Sequence, residues 1–257
     1  MSILIALAAG LAIGVALGLL GGGGSILAVP ALVYLLDQDI ATAVPTSLLV
    51  VGMASLTGVA AHARDGDVRW RIAAGFALPG VATSFAGAWV NSRLDQNVLL
   101  LVFAGLMVIV AVHMLMSSDE PEDEGRRFEG RSRLLAAGVA GAAVGFLTGL
   151  LGVGGGFLIV PALVLTLHLP MAVAVGTSLV VIVANSAAGF VANSSGADLD
   201  WVIAGAFIAG GLAGAIPGSR FAPRLDEARL RNGFAVFILA VAVFVVVQVT
   251  VLGGATT

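Results

Sequence analysis

The chain has 257 residues, of which 59% are hydrophobic and 11% charged, and its mean hydropathy is +1.09. Soluble globular domains carry charges on roughly a quarter of their residues, so this composition indicates an integral membrane protein. The net charge is −3, and the basic residues, which are all arginine, form no run interleaved with aromatics, so nucleic-acid binding is not expected. Cysteine is absent, which excludes disulfides, thiolate metal sites and cysteine nucleophiles.

Ten apolar segments follow one another along the chain, and each is predicted to be a membrane helix. The first has no Arg or Lys ahead of it, so it lacks the charged region of a cleavable signal peptide. The predicted segments are 1–20, 25–36, 41–61, 72–90, 98–116, 134–151, 156–168, 171–192, 201–219 and 232–252.

The second five segments repeat the first five at a distance of 131 residues. Residues 18–36 read GLLGGGGSILAVPALVYLL and residues 149–167 read GLLGVGGGFLIVPALVLTL, identical at 13 of 19 positions without a gap. The repeat continues beyond the glycines, since the Thr-Ser pair at 46–47 aligns with the pair at 177–178. The chain therefore consists of two homologous halves in tandem.

The segment after each glycine run is short. At about 1.5 Å per residue, residues 25–36 reach roughly 18 Å of a hydrocarbon core roughly 30 Å thick. A full crossing and a re-entrant hairpin both remain open, because each returns the chain to the side from which it started.

Residues 117–133, SSDEPEDEGRRFEGRSR, form the only extended hydrophilic stretch of the sequence. We predict that they link the two halves. The predicted organisation is a first membrane repeat at 1–116, the linker at 117–133 and a second membrane repeat at 134–257.

The arginines decide between two topologies. With ten segments alternating across the membrane, 11 arginines fall on one side and Arg93 alone falls on the other, whereas eight crossings would divide them seven to five. By the positive-inside rule the arginine-rich side is cytoplasmic. The linker is then cytoplasmic, both termini are outside, and the protein is expected in the cytoplasmic membrane.

An odd number of segments per half inverts the second half relative to the first. Inverted repeats with a glycine-broken segment at equivalent places are typical of secondary transporters, which bind substrate near the midplane. Unpaired backbone groups at membrane depth must be buried in protein or must line a water-filled cavity. The glycine runs are therefore predicted to meet at a central site. Gly10, Gly14 and Gly18 are spaced for helix packing instead.

The candidate substrate-binding groups are the backbone N–H groups of the glycine runs, the neighbouring hydroxyls and one amide. Glycine loops that open a helix favour anions. The hydroxyls could instead bond the carbonyl one turn back, and Asn185 has only Ala54 as its counterpart. The candidates are Gly21, Gly22, Gly23, Gly24, Ser25, Thr46, Ser47, Gly152, Gly154, Gly155, Gly156, Thr177, Ser178 and Asn185.

The sequence favours an anion as the transported species. None of its 15 acidic residues falls within an apolar segment, whereas cation carriers use intramembrane carboxylates. Export of a monovalent anion gains about 2.3 kcal/mol per 100 mV of membrane potential. The expected partners are a small anionic substrate and the lipid bilayer, with no cofactor and no enzyme activity; a passive channel or facilitator and an accessory subunit of a larger complex remain alternatives.

The paired motifs GLLGGGGSILAVPAL and GLLGVGGGFLIVPAL, each followed by a Thr-Ser pair, resemble the TauE/SafE sulfite-exporter family of bacterial and archaeal permeases. The resemblance implies transport of sulfur-containing anions, such as sulfite or sulfoacetate, often outward. The expected fold is an all-α integral membrane protein of two inverted five-segment repeats, with about eight to ten transmembrane helices.

Overall fold

The computed structural model describes residues 2–91, 93–94, 96–116, 130–151, 156–194, 199–222 and 225–247. These residues form ten α-helices and no strand. The helices are α1 (Ser2–Leu20), α2 (Ser25–Pro30), α3 (Ile40–Asp65), α4 (Trp70–Asn91), α5 (Gln96–Met116), α6 (Gly130–Leu151), α7 (Gly156–Leu167), α8 (Met171–Asn193), α9 (Trp201–Phe221) and α10 (Glu227–Val247). A 3₁₀ turn at Gly21–Gly24 precedes α2, and a π-helical stretch at Ala31–Leu35 continues it.

Each predicted apolar segment lies on one of these helices, so the all-helical membrane fold is confirmed. Seven stretches of the described chain are long and apolar enough to cross a membrane. Some boundaries differ from the prediction: α6 begins at Gly130, inside the predicted linker, and α3 extends to Asp65, where Gly66 in the left-handed conformation (φ 82°) ends it. Residues 117–129 and 248–252 lie outside the described ranges.

Two helix pairs join the halves through glycine stripes. Helix α1 packs on α9, and α6 packs on α4, so the first helix of each half pairs with the fourth helix of the other. The close contacts are Gly10 with Phe207, Gly14 with Gly211 and Gly18 with Ala215 in one pair, and Gly141 with Phe76, Gly145 with Gly80 and Gly149 with Ser84 in the other. The two sets correspond residue for residue at the 131-residue offset, and they confirm the packing role predicted for Gly10, Gly14 and Gly18.

Helices α3 and α8, which are equivalent in the repeat, pack against each other at the centre. Gly58 of α3 lies against Leu179 of α8, and Gly189 of α8 lies against Leu48 of α3. Residue numbers rise along one helix as they fall along the other, so the two helices are antiparallel. Antiparallel packing of equivalent helices is what two oppositely oriented halves produce, whereas eight alternating crossings would make α3 and α8 parallel.

The outer surface of the bundle is apolar and its centre holds the hydroxyls. Leu78, Val139 and Val191 are each more than 70% exposed. Buried polar side chains include Ser55 and Thr177, which expose none of their surface. This distribution suits lipid outside the bundle and a polar centre within it.

We expect Gly14→Ala to destabilise the fold, because the backbone of Gly211 occupies the position that its Cβ would take. Overpacking of this kind costs roughly 1–3 kcal/mol. The matched control is Gly205→Ala on α9, whose Cβ would meet nothing within 4 Å; it should keep or slightly raise the melting temperature, since alanine favours helix. Thermal unfolding of both variants in one detergent tests this, and equal melting temperatures would contradict the packing.

Candidate anion site

The chain reverses direction at the first glycine run. Gly21 has a φ of +65°, which side chains other than glycine rarely adopt. A Cβ on Gly24 would lie 2.7 Å from the carbonyl oxygen of Ile13 on α1, although a straight helix would separate residues 13 and 24 by roughly 16 Å. Helix α2 therefore folds back on α1, and all four glycines of the turn are buried.

The two glycine runs meet between the halves. The carbonyl oxygen of Gly156, the first residue of α7, occupies the position that a Cβ on Gly22 would take. A Cβ on Gly156 would in turn lie 2.5 Å from the Oγ of Ser25. The predicted meeting of the runs is observed at Gly22 and Gly156; Gly152, Gly154 and Gly155 lie outside the described residues.

This contact brings two helix N-termini together. The helical stretch after Gly21 and helix α7, which begins at Gly156, start at the same place from opposite halves. The first N–H groups of a helix have no partner within it, and they carry a partial positive charge of about half an elementary unit. Two such ends close together favour negative charge near them. Of the residues at these ends, Ser25 lines an adjoining cavity, and Gly21–Gly24 and Gly156 are not part of that lining.

A cavity of about 330 Å³ lies beside this contact, between α2, α3, α4, α6 and α8. It is at the small end of ligand sites, and none of the described residues that line it is charged. Its polar lining residues are Ser25, Ser47, Ser84, Thr148, Asn185 and Ser186. Three of the predicted residues, Ser25, Ser47 and Asn185, are thus brought together.

Four of the five cavity hydroxyls donate to backbone carbonyls. The donor-to-acceptor pairs are Ser25 Oγ to Gly22 O, Ser47 Oγ to Val44 O, Ser84 Oγ to Val81 O and Thr148 Oγ1 to Val144 O, each 2.7 Å. Rotation about χ1 would redirect such a hydroxyl to a ligand. A bond to an anion is roughly twice as strong as one to a neutral carbonyl, so an anionic ligand can compete for these protons.

Asn185 is the polar side chain of the cavity with unused bonding capacity. Its Oδ1 is buried and has no hydrogen-bond partner. An unmade bond at a buried polar atom costs about 1–3 kcal/mol. Oδ1 accepts hydrogen bonds, so a ligand O–H would remove that cost, whereas an ionised oxyanion would accept from the amide Nδ2 instead.

The other predicted hydroxyls are buried outside the cavity lining. Thr46 Oγ1 donates to Thr42 O and Ser178 Oγ to Val175 O, both at 2.7 Å. Thr177 Oγ1 accepts the backbone N–H of Arg69 at 3.1 Å. All three hydroxyls bond to the backbone here, and their substrate role stays a prediction.

Sequence reasoning passed over Ser84, Thr148 and Ser186. It looked for polar residues repeated in both halves, but the equivalents of Ser84 and Thr148 are Ala215 and Leu17. For Ser84 and Thr148 the sequence contained a different signal. Ser84 and Thr148 lie within the glycine stripes that pack α4 on α6, beside Gly80 and Gly145, and a hydroxyl inserted in such a stripe is placed at an interface. Ser186 lies on α8 and is repeated as Ser55.

Comparison with known proteins gives one family. The model of the family described as "Sulfite exporter TauE/SafE" matches residues 6–245. A "Probable membrane transporter protein" of Xylella fastidiosa (strain Temecula1) is 37% identical over 95% of both chains. In Bacillus subtilis (strain 168), "Probable membrane transporter protein YunE" is 30% identical over 82% of this chain and 85% of its own, and "YdhB" is 28% identical over 88% and 92%. No solved structure matches significantly.

We expect Gly22→Ala to disrupt the meeting of the two hairpins, whereas Gly23→Ala should be tolerated. The Gly22 Cβ would coincide with the backbone of Gly156, which cannot move without shifting α7. The Gly23 Cβ would approach side chains alone, the rings of Phe234 and Phe237 at 3.3 and 3.4 Å and Leu20 Cβ at 3.5 Å, and a shift of a few tenths of an ångström would accommodate it. Heating each variant before size-exclusion chromatography measures the loss of folded protein. Greater loss for Gly23→Ala than for Gly22→Ala would refute the contact.

Proposed function

The chain belongs to the sulfite exporter TauE/SafE family of membrane transporters, and from this we propose that it is a permease for a small sulfur oxyanion or organosulfonate, such as sulfite or sulfoacetate. We further propose that it exports this anion across the cytoplasmic membrane by alternating access.

The meeting of two helix N-termini at Gly22 and Gly156 is the observation that carries the choice of an anion. Each terminus contributes roughly 0.3–1 kcal/mol to binding of a negative charge, and up to about 2 kcal/mol when partly buried. The described lining of the adjoining cavity contains neither a carboxylate that would repel an anion nor an arginine that would hold it permanently. Moderate affinity suits a carrier, which must release what it binds.

The proposed topology orients the cavity. In the ten-segment arrangement, the start of α3 and the ends of α4, α6 and α8 lie in the outer half of the membrane. The cavity is lined from these parts, by residues such as Val44, Ala88 and Ala192. It would therefore open toward the outside.

The equivalent positions in the inner half are closed. Ser219, the counterpart of Ala88, is 1% exposed, and Leu17, the counterpart of Thr148, is fully buried. The two halves have the same architecture, so exchanging their packing would close the outer cavity and open an inner one. This exchange is the proposed transport step.

Ser55 supports an inner cavity. It is the counterpart of Ser186, which lines the outer cavity, and its own hydroxyl is buried with no hydrogen-bond partner. A hydroxyl left in this state costs about 1–3 kcal/mol. This cost would be removed in the inward-open state, where water in the inner cavity would bond to the Ser55 hydroxyl.

Flux of labelled sulfite through liposomes that contain only the purified protein tests the function. An imposed potential, competing sulfonates and a counterflow arrangement complete the assay. Saturable, potential-driven flux with counterflow is the expected result, and it also excludes the need for a partner subunit. Flux linear with sulfite concentration and without counterflow would indicate a channel, and no flux of any sulfur anion would refute the substrate class.

We expect Asn185→Leu to lower transport efficiency roughly 10- to 100-fold, the worth of one hydrogen bond to a charged group. The change keeps the side-chain size but removes the amide that lines the cavity. Thr166→Ala is the control, because this exposed hydroxyl of α7 bonds to Ala162 O and lies outside the cavity lining. Equal transport by the two variants in the liposome assay would exclude Asn185 from the site.

Labelling of introduced cysteines tests the exchange, and the chain has no native cysteine to interfere. We expect an impermeant maleimide to label Ala88→Cys from the outside. Ser219→Cys should resist labelling from the outside and should react from the cytoplasmic side, in inverted vesicles, once substrate drives turnover. If Ser219→Cys never reacts in a protein that still transports, the inner cavity has been assigned to the wrong surface.

A further inference from the structure

A second cavity, of about 410 Å³, lies at the opposite end of the α4–α6 pair from the anion site. Three arginines surround it: Arg69 and Arg71 at the start of α4, and Arg133 in the first turn of α6. Its remaining lining residues are Val68, Trp70, Ile72 and Leu134. Both halves of the molecule contribute to this arginine pocket.

The positive charge of the arginine pocket is uncompensated by the described residues. No carboxylate is among the described residues that line the pocket. The salt bridges of the described residues, His62 with Asp67 and Arg229 with Asp226, do not involve its arginines. Three guanidinium groups around one cavity repel one another, and a bound anion would relieve that repulsion.

Two tryptophans indicate the depth of the pocket in the membrane. Trp70 and Trp89 lie near opposite ends of α4 and are 57% and 59% exposed. Their separation of 19 residues is roughly 28 Å along a helix, close to the thickness of the hydrocarbon core. Exposed tryptophans favour the two membrane–water interfaces, so the pocket lies at the level of lipid headgroups.

Exposed apolar side chains lie within two turns of the pocket on both helices. Leu78 on α4 is 75% exposed, and Leu135 and Val139 on α6 are 67% and 71% exposed. A molecule held by the arginines would have a surface for hydrocarbon chains within two turns of them. Arginine binds phosphate oxygens through two parallel N–H donors.

We propose that the arginine pocket binds the phosphate of an anionic phospholipid, with the acyl chains lying along α4 and α6. By the arginine distribution this lipid belongs to the cytoplasmic leaflet, where anionic headgroups attract basic residues. A soluble phosphate has the same oxyanion chemistry, but it would leave the adjoining apolar surface unused. The lipid would join the two halves at a site separate from the transported anion.

Native mass spectrometry of the purified protein with phosphatidylglycerol tests the proposal, with phosphatidylcholine of the same acyl chains as the neutral probe. We expect phosphatidylglycerol to bind more tightly to the wild type, and the Arg71→Gln/Arg133→Gln variant to lose roughly five-fold in affinity for each arginine removed. The matched control is Arg220→Gln/Arg229→Gln, which removes two exposed arginines from α9 and α10. It should bind phosphatidylglycerol as the wild type does.

Three results would overturn the proposal. The first is that phosphatidylcholine binds as tightly as phosphatidylglycerol. The second is that the Arg71→Gln/Arg133→Gln variant and the control variant bind phosphatidylglycerol with equal affinity. Alternatively, inorganic phosphate or glycerol 3-phosphate at millimolar concentration could displace phosphatidylglycerol from the wild type, which would identify a site for soluble oxyanions. Because lipid binding is measured without transport, these outcomes do not depend on the proposed substrate.

Discussion

Close approach of two backbones at Gly22 and Gly156 is the constraint on which the rest of the arrangement depends. A side chain on Gly22 would push α7 away, and the two helix starts would no longer face one region. In hydrocarbon those unpaired N–H groups would be costly, so they must be covered by protein or by a wet cavity. The turn at Gly21, the short helices α2 and α7 and the adjoining cavity all follow from that requirement.

The repeat interlocks the two halves. Since α1 packs on α9 and α6 on α4, the largest interfaces lie between the halves, and α3 packs on α8 in the same way. Neither half could bury its own glycine stripes alone. The sequence divides into two repeats, but the packing makes a single unit of them.

The repeat made the packing glycines and the helices predictable, but it did not show which polar residues line the cavity: Asn185 occurs once and was a candidate, whereas Ser186 is repeated as Ser55 and was not. The glycine runs, the stripe at Gly10, Gly14 and Gly18, and the helix positions follow from composition and periodicity, because hydrocarbon leaves few alternatives to helix. Ser84 and Thr148 could not be recognised in this way, since they line the cavity only because the outer and inner halves pack differently. That difference is one of tertiary packing, because equivalent positions of the repeat line the open cavity in one half and are buried in the other. The pairing of α1 with α9 and of α6 with α4 could not be predicted either, because a glycine stripe shows that a helix face is packed but not which helix packs on it.

The partnership between α1 and α9 also has a consequence for biosynthesis. The glycine stripe of α1 leaves the ribosome well before its partner, because Phe207 and Gly211, which cover Gly10 and Gly14, are made 197 residues later. At roughly 5–20 residues per second, this interval lasts on the order of 10–40 s. The stripe of α6 has no such delay, because α4 is already in the membrane when α6 is made. Helix α1 thus waits in lipid, or beside the insertion machinery, for a partner from the second half of the repeat.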